Sequence, residues 1–96
     1  MDKVLYLTNL YDYYGELLTE KQREYFEDYY FKNLTLSEIS ENREISRNAI
    51  HKSIKEIENK LNHYENILKL YKKSKKIKEL IKNIDKETKK KIEEII

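Results

Sequence analysis

The chain has 96 residues, with no cysteine, no proline and one glycine; 40% of its side chains are charged, for a formal net charge of +2. That length allows one domain with an adequate core, the lack of cysteine excludes a disulfide scaffold and cysteine-ligated zinc, and few helix breakers point to an all-α fold. The opening Met-Asp-Lys-Val-Leu-Tyr-Leu-Thr has no charged segment ahead of a long apolar one, and no run is long enough to span a bilayer, which predicts a soluble cytoplasmic protein without membrane insertion.

The first predicted element is a helix over residues 2–14. Val4, Leu7, Leu10, Tyr11 and Tyr14 recur at helical spacing, and Leu17 and Leu18 follow. Gly15 suits the position after a helix, where a left-handed conformation ends it cheaply. Thr19 and Gln22 then fit a reciprocal capping box, which opens a helix over 20–32. Tyr25, Phe26, Tyr29 and Tyr30 are its packing residues, and Asn33 is its expected stop.

The next segment, Thr35 to Ile57, reads as two helices joined by a three- to four-residue turn. Thr35 and Glu38 form a second capping box, with Leu34 and Ile39 in the positions of a hydrophobic staple. Ser46 repeats the N-cap, with Ile45 and Ile50 as its staple. Leu36, Ile39, Ile45, Ala49, Ile50 and Ile54 then face inward on a helix-turn-helix. Ser46 opens the second helix, which presents Arg47, Asn48, His51, Lys52 and Lys55 outward. Those side chains reach phosphates and base edges. The same geometry also serves purely structural hairpins, so a scaffold without nucleic-acid contact stands beside the binding reading.

From Ser46 no breaker appears for a long way. Ile50, Ile54, Ile57, Leu61, Tyr64, Leu68 and Tyr71 alternate by four and three residues, a three-heptad seam. Lys72, Lys73, Lys75 and Lys76 then interrupt it, with Ser74 between them as either a turn or part of a straight helix. Ile77, Leu80, Ile81, Ile84, Ile92, Ile95 and Ile96 define a last amphipathic helix. The expected organisation is a helix-turn-helix domain over 1–68 and a basic amphipathic helical tail over 69–96. The tail's apolar stripe has no later segment to cover it, which predicts a homodimer or a fold-back over the long helix.

Charge is unevenly distributed. Residues 1–18 carry −2, 19–45 carry −3, 46–68 carry +1 and 69–96 carry +6. A protein holding duplex DNA mainly by charge would be basic around its reading helix as well. Most of the nine tyrosines fall on apolar stripes and read as core. Tyr13 and Tyr30 are the expected exposed ones, available for base stacking.

Catalytic chemistry is missing from the pattern. His51 and His63 are too far apart for one helix face, so no metal pair is expected. No glycine-rich phosphate loop or nucleophile elbow occurs. Glu27 with Asp28, and Glu93 with Glu94, read as solvated faces. The expectation is a non-enzyme without cofactor, metal or catalytic residues.

Leu18-Thr-Glu-Lys-Gln-Arg-Glu-Tyr-Phe-Glu-Asp-Tyr-Tyr, Asn33-Leu-Thr-Leu-Ser-Glu-Ile-Ser-Glu and Ile45-Ser-Arg-Asn-Ala-Ile together resemble the YlxM family. So do the early Tyr-Asp-Tyr-Tyr and Leu61-Asn-His-Tyr-Glu-Asn-Ile-Leu-Lys-Leu, which extends the match over roughly residues 5–71. The motif alone is also similar to the promoter −35 binding region of bacterial sigma factors, a winged-helix-like arrangement without the wing. The resemblance implies a small all-helical bacterial protein with a regulatory role in co-translational membrane targeting. Its implied partners are the signal recognition particle's RNA, its GTPase or the receptor. Two positions depart from the motif. Arg43 replaces the usual apolar residue ending the first helix and is expected to lay its stem over the core with its head in water. Glu44 replaces the usual turn glycine, where a left-handed backbone is mildly strained. The competing functions are a particle accessory protein, a sequence-specific DNA-binding regulator and a protein adaptor.

Overall fold

The computed structural model describes residues 2–96, and all regular structure among them is helical. Helix α1 runs Lys3–Tyr14, α2 Glu20–Tyr30, α3 Leu36–Arg43, α4 Arg47–Leu68, α5 Leu70–Leu80 and α6 Lys86–Glu93. Asp2, Thr19, Thr35, Ser46 and Asp85 cap α1, α2, α3, α4 and α6 with a side-chain oxygen. Both expected capping boxes are formed in full.

The core gathers Leu7, Leu10 and Tyr14 from α1, Tyr25, Phe26 and Tyr30 from α2, Ile39 from α3, and Ile50, Ile54, Ile57 and Leu61 from α4. Long α4 touches each of α1, α2 and α3, so it is the post on which the other helices pack. Phe26 lies stacked on Tyr11 at 4.4 Å and 8°, and packs against Tyr30 at 4.5 Å. Each fully buried side chain of this kind contributes about 1.5–3 kcal/mol relative to exposure.

Several expectations are corrected. Gly15 is right-handed, at φ −56°, and opens a short 3-10 turn, Gly15–Leu17. Its role is space: a Cβ there would lie 3.1 Å from the Tyr11 ring. Asn33 is the residue that turns left-handed, at φ 55°, three residues after α2 ends. Tyr30 is buried, with its hydroxyl on Glu58, and Tyr13 packs between Tyr14 and Tyr71. Asp28 is also buried, at 3% exposure, whereas Glu27 is exposed and accepts from the Tyr11 hydroxyl at 2.5 Å.

The long helix breaks where no breaker stands. α4 ends at Leu68, Lys69 is left-handed at φ 56°, and α5 restarts at Leu70. The side chains of Tyr14 from α1 and Glu65 from the end of α4 cap the restart. The lysine cluster therefore lies within a helix, and Ser74 is a buried residue in its middle. The last stripe is likewise two helices rather than one. Asp85 accepts from the Thr88 amide at 2.9 Å and starts α6 afresh. α5 packs against α1, Ile81 is buried, and Ile77, Ile92 and Ile96 are half-buried. Leu80 and Ile95 remain in water, at 72% and 83% exposure.

Candidate nucleic-acid interface

The two motif helices are α3 and α4, joined by the three residues 44–46. At the start of α3, the Glu38 amide donates to Thr35 Oγ1 at 3.1 Å, and the Thr35 amide donates to Glu38 Oε1 at 2.9 Å. The bond from the Thr35 amide favours the ionised carboxylate and holds Glu38 below its ordinary value. Glu44 takes the left-handed conformation the tight turn requires, at φ 55° and ψ 44°. The Ser40 hydroxyl donates to the Ile45 carbonyl, and the Ile45 amide donates to the Ser40 carbonyl at 3.1 Å, which closes the turn. Ile39, Ile50 and Ile54 are buried beneath it.

Arg43 does not send its head to water. Its Nε donates to Asp28 Oδ2 at 3.0 Å, and an η nitrogen donates to Glu24 Oε2 at 3.2 Å. Asp28 is 3% exposed, so this guanidinium supplies the charge that makes its burial tolerable. The clamp fixes the motif's first helix to α2.

Ser46, Arg47, Asn48, His51, Lys52 and Lys55 are all exposed on the first turns of α4. At 3.6 residues per turn, residues 47, 48, 51, 52 and 55 share an arc of about 140°, with Arg47 at the edge that borders the buried side of Ile54. The Ser46 hydroxyl accepts from the Ala49 amide at 3.1 Å and retains its own proton for an outside acceptor. Lys55 lies 3.6 Å from Glu58, a carboxylate that Lys3 also reaches at 3.5 Å, so its charge is partly spent inside the protein. Arg47 borders a groove with Val4, Tyr29, Leu34 and Leu36. Lys72, Lys73, Lys75 and Lys76 are exposed on α5, with Lys73 beside Ile77 and Lys72 and Lys76 farther round the helix. Lys75 also lies 5.9 Å from the Tyr71 ring centroid. Arg47 to Lys55 span the first nine of the 22 residues of α4, whereas the lysine cluster lies on α5, beyond the bend that ends α4.

Residues 1–96 match, over their whole length, the family UPF0122, described as "Putative helix-turn-helix protein, YlxM / p13 like". The chain belongs to this family. It is 42% identical over 97 residues to the UPF0122 protein of Fusobacterium nucleatum, covering 100% of the chain and 94% of that relative. It is 45% identical over 95 residues to a UPF0122 protein of Ureaplasma parvum, covering 98% and 96%. The UPF0122 protein of Caldanaerobacter subterraneus is 47% identical over 85 residues, covering 88% of the chain and 70% of that protein.

In this UPF0122 chain, three carboxylates that hold the motif in place escape a reading of spacing. They are Asp28 under Arg43, Glu58 under Tyr30 and Glu65 under Tyr14. Glu58 and Glu65 each follow a seam position, Ile57 and Tyr64, and so lie at the edge of the buried stripe. A buried tyrosine hydroxyl needs an acceptor, and that need was the one available signal. Among the described residues no His, Cys, Asp and Glu side chains gather into a metal-binding set of three. No helix among them is long and apolar enough to cross a membrane.

Proposed function

We propose that this chain is a cytoplasmic nucleic-acid-binding regulatory protein of the signal recognition particle pathway, and not an enzyme. The observation that carries the binding reading is the contiguous exposed face of Arg47, Asn48, His51 and Lys52 on the second helix of an intact helix-turn-helix. Arginine and asparagine are suited to bidentate contacts with base edges, and lysine to phosphates. The YlxM-like motifs support the pathway assignment, with the particle's RNA as the first target and its GTPase or receptor as protein partners. The lysines of α5 add a phosphate-binding surface that carries no sequence information.

The acidic first half disfavours a protein that grips duplex DNA by charge. The polar set at the start of α4 nevertheless fits the major groove, and this supports a DNA-binding regulator as the second reading. Electrophoretic mobility with particle RNA and with mixed duplex DNA, over a salt series, separates the two. The first reading expects tighter binding to the RNA; equal or tighter binding to duplex DNA favours the second. Arg47→Ala should weaken the bound complex by about 1–3 kcal/mol. Replacing Lys72, Lys73, Lys75 and Lys76 together should weaken every sequence alike and flatten the salt dependence. No shift with either nucleic acid leaves the motif as a scaffold for protein contacts.

A further inference from the structure

The bend between α4 and α5 is made by a single residue, and nothing in the local sequence demands it. Residues 61–80 contain no glycine and no proline. The seam through Leu61, Tyr64, Leu68 and Tyr71 keeps its spacing straight across the break. Lys69 nevertheless sits at φ 56° and ψ 29°, a conformation that penalises any side chain with a Cβ.

At the bend every freed amide finds a side-chain acceptor. In a continuous helix the amides of Leu70, Tyr71 and Lys72 would donate to the carbonyls of Asn66, Ile67 and Leu68. Here the Leu70 amide donates to Tyr14 Oη at 3.0 Å. The Tyr71 amide donates to Glu65 Oε1 at 3.2 Å, and the Lys72 amide to Glu65 Oε2 at 3.0 Å. The Tyr14 hydroxyl donates in turn to Glu65 Oε1 at 2.5 Å, which fixes the cap. Three side-chain acceptors thus replace three backbone acceptors.

Beyond the bend, α5 lies against α1. The Tyr71 ring meets Tyr6 edge-on at 5.8 Å and Tyr13 at 6.2 Å, and its hydroxyl accepts from the Asn9 amide group at 3.3 Å. Ile96 returns to the same side, beside Tyr13 and Ser74. The α5–α6 arm therefore has a defined docking surface, and that surface exists on every copy of the chain.

We propose that α5–α6 is an exchangeable arm hinged at Lys69, and that its second position is on α1 of another copy of this chain. In that state α4 and α5 form one helix over residues 47–80. The backbone bonds replace the Tyr14 and Glu65 caps, and Lys69 leaves the left-handed region. The arm keeps the same kind of contacts, now made between chains, and reciprocal exchange closes a two-fold dimer. The two hinge segments cross near that axis, where each chain exposes Ile67, Leu68 and Leu70. The crossing gives those three side chains an apolar neighbour.

Two substitutions at the hinge act in opposite directions. Lys69→Gly removes the left-handed penalty and weakens a continuous helix, so it favours the bent monomer. Lys69→Val resists the left-handed region and favours the straight form. Tyr14→Phe deletes the Leu70 cap while leaving the ring, and shifts the balance the same way as Lys69→Val. Sedimentation equilibrium of the full chain should rank dimerisation Val above wild type above Gly. The dissociation constants of the two variants should differ roughly tenfold or more, because each dimer straightens two hinges. Spin labels on Lys52→Cys and Lys78→Cys, diluted in unlabelled chain, read the hinge directly. The 26 intervening steps of a straight helix span roughly 39 Å, and the bent form is shorter. A dimer with the long spacing supports the exchange. A Lys69→Val protein that stays monomeric at all concentrations overturns it, as does a dimer that keeps the short spacing or a reversed ranking of the variants.

Discussion

Arg43 closes the first motif helix by reaching sideways to α2, at a position where an apolar side chain would simply fill the core. Its guanidinium meets Asp28, which is almost entirely out of water, and Glu24 at the rim. Loss of that partner leaves the buried carboxylate to the exposed amine of Lys32, at 3.4 Å. Arg43→Ala should therefore destabilise the fold by about 1.5–3 kcal/mol, the range for a hydrogen bond to a charged group. Urea denaturation measures it; a loss below about 0.5 kcal/mol, the level of an exposed pair, would show that the clamp contributes nothing beyond a surface contact. At this scale the sequence was informative about polar groups that serve their own helix. Thr19, Thr35 and Ser46 bond within three residues, so spacing reveals them. Asp28, Glu58 and Glu65 bond across 15 to 51 residues, and spacing cannot show such partners.

Tyrosines fasten the elements to one another. Tyr11 joins α1 to α2 through Glu27, Tyr30 joins α2 to α4 through Glu58, and Tyr14 joins α1 to α4 through Glu65. Burial, reinforced by the bond to Glu65, pushes the Tyr14 hydroxyl up to about 12. Tyr11 and Tyr30 are raised as well, first by burial and then by Glu27 and Glu58. A raised value means that the folded state resists ionisation. The resulting stability is complete below the unfolded tyrosine value of 10.0 and is lost as pH rises from there toward 12. Tyrosinate absorbance followed with helical circular dichroism should show a late-ionising group that titrates together with loss of helix. Ionisation of all nine tyrosines near the ordinary value, with helix retained, would contradict these bridges. The helices themselves were legible because apolar spacing and caps agree through Leu68. The break at Lys69 was not, because its cause is a tyrosine from α1 and a carboxylate from α4 rather than a local breaker. The start of α6 at Asp85 was hidden by the apolar stripe, although Asp85 and Thr88 have cap spacing.

Across the whole molecule, the acidic excess lies in residues 1–45, which include the first motif helix, and the basic excess lies in residues 69–96, on α5 and α6. Segment charge made that polarity visible in the sequence. The outward set of α4 was likewise legible, since it follows from the buried positions of Ile50 and Ile54. Its partner is not legible, because exposed arginine, asparagine and lysine suit both RNA and DNA. The central claim is that this face contacts nucleic acid, and amide chemical-shift mapping tests it most directly. A labelled chain would be titrated with the particle RNA, and in parallel with duplex DNA. The account predicts shifts concentrated on residues 46–55, with weaker ones over 72–76, and their loss at the α4 face in Arg47→Ala. Shifts confined to residues 72–76, or to faces of α1 and α2 remote from Arg47, would contradict it.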